Sequence, residues 1–84
     1  MSGQLARLNL QSRTFTGDEV FPKNPNRGYF FIVFTTGSGS VSFGSGGGQV
    51  PLANLQHYEP YVCPTGEITV TAGGDTFVVV SNAF

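Results

Sequence analysis

"YFFIVF", Tyr29 to Phe34, sets six apolar residues in a row, four of them aromatic. A half-wet strand places a polar side chain at every second position, and an amphipathic helix breaks its apolar stripe within a turn; this run does neither. Turn formers bound it on both sides, "PKNPNRG" (Pro22 to Gly28) before it and "TTGSGS" (Thr35 to Ser40) after it, so it is too short for a buried helix. The stretch therefore predicts a central strand covered on both faces.

Outward from that anchor the chain keeps the same grammar. Before it, Leu5 to Phe15 alternates: Leu8, Leu10, Ser12 and Thr14 share one face while Arg7, Asn9, Gln11 and Arg13 share the other, as in a strand with one dry side. Thr16 to Glu19 reads as a turn. After the anchor, Gly37 and Gly39 take positive φ at little cost and predict a tight hairpin into Val41, Ser42 and Phe43. "SFGSGGGQVPL" (Ser42 to Leu52) follows. It lacks the Lys-Ser/Thr of a phosphate loop, Gln49 holds the place of the last glycine of a dinucleotide fingerprint, and Pro51 stands where the helix would run. It reads as a supple connection that lets the chain cross from one strand toward another. "ANLQHYEPYV" suits an edge strand or crossover, "CPTGE" a turn, "ITVTA" a cleanly alternating strand, and "TFVVVS" a mostly buried one.

Helix signals are nearly absent, with four alanines against twelve glycines and five prolines. Short β-branched and aromatic bursts about ten residues apart, separated by Gly/Pro clusters, predict an all-β chain: a small β-sandwich or flattened barrel of mainly antiparallel strands. The 84 residues read as one domain, with residues 1–7 as an N-terminal interaction arm and residues 81–84 as a C-terminal tail.

A domain of this size buries only about 60–65% of the surface of its unfolded chain and commonly relies on disulfides, metals or partner subunits. Cys63 is the single cysteine and His57 the single histidine, so neither an intrachain disulfide nor a four-ligand zinc shell is available. Partner subunits remain. Four Lys/Arg against five Asp/Glu, without runs of either sign, exclude the clustered positive charge that nucleic acid binding needs. No run approaches the roughly 18 apolar residues of a membrane-spanning helix, and Met1 to Leu10 has no signal-peptide core, so no membrane partner and no export are expected.

Catalysis has little to draw on. His57, Cys63 and Glu59 or Asp75 have the residue types of a nucleophilic triad but no spacing that supports one. Asp18 and Glu19, adjacent in a turn, diverge, and "GGDT" offers calcium one carboxylate. The sequence predicts a non-enzymatic protein with no cofactor. Eleven aromatics among few charges favour an interface instead, and the residues that best fit contact roles are Leu5, Arg7 and Arg13 from the arm and first strand, with Phe84 from the tail.

The order "NPNRGYFFIVF", "GSVSFGSGG", "VPLANLQHYEP", "PTGEITVTAGGDTFVVV" is similar to a recurrent pattern in small structural proteins of tailed-phage virions. That pattern has an Asn-Pro-x-Arg loop entering an apolar strand, a V-x-F-G strand, a Pro-Leu step toward Tyr-Glu, and a P-T-G turn before two final strands. The likeness runs from Asn24 to Val80; "PLANLQ" replaces a Gly-rich turn, and the arm has no counterpart. The resemblance implies a virion component that decorates or cements the capsid or completes the head. Its partners would be other virion proteins, above all the major capsid protein, with the chain lattice-bound or homo-oligomeric. The alternative it leaves open is a tail or fibre module that recognises host glycan or receptor through Tyr58, Tyr61 and Asn54.

Overall fold

The computed structural model describes residues 10–44 and 48–81. They form eight strands: β1 (Leu10–Thr16), β2 (Glu19–Phe21), β3 (Phe30–Phe34), β4 (Gly39–Phe43), β5 (Gln49–Leu52), β6 (His57–Tyr58), β7 (Ile68–Ala72) and β8 (Asp75–Ser81). Two four-stranded antiparallel sheets result, sheet A in the order β1-β8-β3-β6 and sheet B in the order β2-β7-β4-β5. The all-β sandwich expected from the sequence is the observed architecture.

The core lies between the sheets and is built by alternation. Phe30, Ile32 and Phe34 of β3 and Val78 and Val80 of β8 point inward from sheet A; Phe21, Val41, Leu52, Ile68 and Val70 meet them from sheet B. Phe30 is the hinge of the aromatic packing, edge-on to Phe21 at 6.0 Å and to Phe43 at 6.4 Å between ring centres. Thr76 of β8 is also fully buried, and its Oγ1 has no hydrogen-bond partner among the described residues. A desolvated hydroxyl without a partner costs stability, so Thr76→Val, which keeps the shape, is expected to raise the unfolding free energy by about 1 kcal/mol in a urea titration.

Two glycine segments exchange the roles the sequence suggests. Gly37 does have positive φ (75°), but β3 and β4 do not form a hairpin: the turn between them carries the chain from sheet A to sheet B. The other glycine-rich stretch joins β4 to β5, which are antiparallel neighbours from Gly39↔Leu52 to Ser42↔Gln49, so the hairpin is there rather than a crossover. The reason lies in close approach. The β3–β4 and β7–β8 corners stack at one end of the sandwich, where a Cβ on Gly74 would lie 2.3 Å from the Thr36 carbonyl oxygen and one on Gly37 would lie 3.3 Å from the Gly73 and Gly74 backbone. Strands that change sheet side by side need corners without side chains.

β1 also differs from expectation. It begins at Leu10 among the described residues, and its inward face carries Arg13 and Phe15, while Leu10 is 51% exposed. Arg13 lies inside because its stem and guanidinium cover rings, 5.3 Å over Phe15 and 5.7 Å over Phe21, while Glu19 pairs with its head at 2.6 Å. This ion pair joins the edge of sheet A to the edge of sheet B.

Candidate functional site

The two outer faces of the sandwich differ in chemistry. On sheet B the outward positions are Ser40 and Ser42 of β4, Thr69 and Thr71 of β7, Gln49 and Pro51 of β5 and Val20 of β2, a hydroxyl-rich surface suited to water. On sheet A they are Phe31 and Val33 of β3 and Phe77 and Val79 of β8. The register sets Phe31 beside Val79 and Val33 beside Phe77, so the four side chains form one contiguous block. His57 of β6 extends it, stacked on Phe31 with ring centres 5.7 Å apart. Leu10 flanks it on β1, beside Ser12 and Thr14, which lie next to Val79 and Phe77. The block is half-buried by its own neighbours, and no described strand lies over it. "FFIVF" therefore has its core face covered as predicted, while no described strand covers its second face. Phe31 and Phe77, which core filling would have claimed, belong to that second face.

Along the side of this face runs β1, the outer strand of sheet A. Its backbone polarity follows from its neighbours. Ser81 N–H donates to Tyr29 O at 3.2 Å and Thr35 N–H to Asp75 O at 2.9 Å, so the odd-numbered residues of β8 bond to β3. The even-numbered residues are left for β1, and the Gly17 N–H to Gly74 O contact at 3.5 Å continues that ladder. Gln11, Arg13 and Phe15 are thereby satisfied by β8. Leu10, Ser12, Thr14 and Thr16 turn their N–H and C=O groups outward, away from the sheet.

At one end of sheet A the loop between β6 and β7 is held by Arg27. This residue is 4% exposed, its guanidinium donating through Nη1 to Pro64 O at 2.8 Å and Gly66 O at 3.1 Å and through Nη2 to Pro22 O at 2.9 Å. Burial lowers its pKa from the usual arginine value. Cys63 packs nearby; burial pushes its thiol up while the Arg27 charge pulls the other way. The clamp presents Tyr61 and Val62 to solvent, the latter 75% exposed. Beneath them an open concavity of about 360 Å³ is walled by Tyr29, Phe30, Glu59 and Cys63. The Tyr29 hydroxyl donates to Glu59, and this hydrogen bond, more than burial, raises the phenol's pKa.

Of the contact residues expected from the sequence, Arg13 closes the β1–β2 side of the sandwich, and Leu5, Arg7 and Phe84 lie outside the described residues. The glycan trio does not converge. Tyr58 packs on Phe43, and Leu55 N–H donates to Phe34 O, which puts Asn54 at the far end of β3 from Tyr61, roughly 13 Å along the strand. Asp18 accepts from the Ala72 N–H at 3.0 Å while Glu19 pairs with Arg13, so these neighbouring acids serve different contacts. Asp75 accepts from the Thr16 hydroxyl at 2.5 Å. No three of the His, Cys, Asp and Glu side chains come together among the described residues, and residues 1–9, 45–47 and 82–84 contain none of these types. The sequence reading missed Arg27 and the outer face of sheet A. The sequence carries a signal for the face: "FFIVF" and "FVVV" lack the alternation that "VSF" and "ITVTA" show.

No family model matches the chain, and no curated protein does. Among solved structures the fold is similar to that of an RmlC-like cupin protein from Desulfovibrio desulfuricans, with a TM-score of 0.66 and 18% identity, covering 89% of this chain and 74% of that one. The likeness at this identity shows the architecture alone: the chain has a cupin-like, two-sheet β fold.

Proposed function

We propose that this protein is a non-enzymatic structural component of a virion, one that decorates or cements a capsid or completes its head by docking on other protein. The observation that carries the reading is the apolar outer face of sheet A, where Phe31, Val33, Phe77 and Val79 form one block, while four of the seven outward residues of sheet B are serine or threonine. Solvent does not account for that asymmetry, since contiguous apolar surface of this kind marks an interaction site. Low net charge supports it, because self-repulsion is weak where many copies must sit close together. The tailed-phage order of segments supplies the setting, and many modest contacts on one lattice would add through multivalency.

The test is sedimentation of purified protein with capsid heads that lack it. Binding at a fixed stoichiometry is expected. Val79→Thr, a near-isosteric change on the outer face, is expected to weaken binding by at least about tenfold while leaving the melting transition nearly in place. Failure to bind heads, together with binding to host glycans or cells, would overturn the reading in favour of a recognition module.

A further inference from the structure

We propose that the edge of β1 with which no described strand pairs is a homodimer interface, at which β1 of one copy pairs antiparallel with β1 of a second, residue i facing residue 24 − i. Sheet edges in soluble proteins are normally blunted. Three of the four here are: β2 has three residues, β6 has two and is followed two residues later by Pro60, and β5 carries Pro51. β1 has seven residues, no proline, and no charge among Leu10, Ser12, Thr14 and Thr16, the residues whose N–H and C=O groups point outward.

Symmetry and charge select the occupant and the register. A two-fold pairing must match outward residues with outward residues, so the facing numbers sum to an even value. A sum of 26 opposes Arg13 to Arg13 of the second copy, a like-charge pair. A sum of 28 leaves Leu10, half exposed at 51%, facing the carboxylate-bearing Asp18. A sum of 24 places Arg13 across from Gln11, Ser12 across from Ser12, and Leu10 across from Thr14, with about six new backbone hydrogen bonds from three exchanged pairs. The joined sheets form one continuous surface on which the two apolar blocks lie on the same side, flanking a seam lined by Leu10, Ser12 and Thr14. A chain of 84 residues with one cysteine and no convergent metal donors gains in this way the partner subunit its size calls for.

The pairing would also double the docking face proposed above, but its own test uses the free protein and no capsid, so either proposal can fail alone. Analytical ultracentrifugation of the full chain is expected to show a monomer–dimer equilibrium. Amide exchange is expected to show Gln11, Arg13 and Phe15 protected at every concentration, with Ser12 and Thr14 becoming protected as dimer forms. Ser12→Pro removes an outward donor that β8 does not use, and is expected to raise the dimer dissociation constant at least about tenfold with the melting transition retained. In a Cys63→Ser background, mild oxidation is expected to cross-link Ser12→Cys between copies but not Thr14→Cys, because only the former faces itself. A monomer at millimolar concentration with freely exchanging Ser12 and Thr14 amides would overturn the proposal, as would a dimer indifferent to Ser12→Pro. Cross-linking through Thr14→Cys instead of Ser12→Cys would overturn the register. Protection of these amides solely by a strand of another protein would overturn the second copy as occupant.

Discussion

Replacing Arg27 with methionine is expected to lower the unfolding free energy by about 3 kcal/mol, a large part of the roughly 4–13 kcal/mol that a domain of this length has in total. The guanidinium donates to three backbone carbonyls, those of Pro22, Pro64 and Gly66, and so ties the loop after β2 to the loop before β7. Methionine fills much of the same volume and avoids the desolvation of a buried charge, an effect visible in the lowered pKa of Arg27. Against that gain stand three carbonyl oxygens that lose their donor together, each worth about 1–3 kcal/mol if left without one. Solvent reaches part of this site, since Pro22 and Gly66 are exposed, which limits the net loss to the lower end of the combined range for three carbonyls. The measurement is the urea midpoint, with amide exchange across residues 61–67 reporting the loop. Arg27→Lys should recover only part of the loss, because one ammonium lacks the planar fork that spans three acceptors. Equal midpoints for wild type and Arg27→Met would show that the clamp is ornamental.

Arg27 also illustrates what the sequence hides. "PKNPNRG" is legible as a loop because prolines and asparagines act on their own backbone, and the loop is there. That its arginine would be buried depends on carbonyls 37 and 39 residues away in the chain, and no local pattern encodes such a partner. The strands were legible for the opposite reason. Alternation in "ITVTA" and its absence in "FFIVF" are local consequences of how many faces are apolar, and both segments are strands. What periodicity does not reveal is whether the second apolar face of a strand is covered by its own chain or by another molecule; hence the central strand is legible in the sequence and the absence of a described strand over the outer face of sheet A is not. The turn after β5 shows a further limit. Leu55 adopts φ of 66°, a conformation usually signalled by glycine, and a leucine there gives no warning.

Gly39→Ala is expected to be the other severe substitution, costing about 3 kcal/mol and broadening the unfolding transition. The sequence reading assigned Gly39 to a turn on the strength of its conformational freedom. Its φ does not lie in the left-handed region where Gly17, Gly37 and Gly44 sit, and β4 begins with it, paired to Ala72 on one side and Leu52 on the other. The requirement is space. A Cβ at this position would lie 2.2 Å from the Thr71 carbonyl oxygen, 2.9 Å from the tip of the Phe34 ring and 3.0 Å from the Ala72 Cα. Two of these three obstacles are backbone of the neighbouring strand, so no rotamer change relieves them. Either β4 and β7 separate at this corner, breaking ladder bonds beside the fully buried Phe34, or β4 shifts and drags Val41 out of register with Val70. Two other glycines separate this cause from conformational freedom. At Gly44 φ is +75° but the space is open, so Gly44→Ala is expected to cost only about 1 kcal/mol, whereas Gly66 has open space and no positive φ, and Gly66→Ala is expected to be nearly silent. If thermal denaturation ranks Gly44→Ala as worse than Gly39→Ala, then backbone freedom, and not the contact between β4 and β7, is what glycine contributes at these corners.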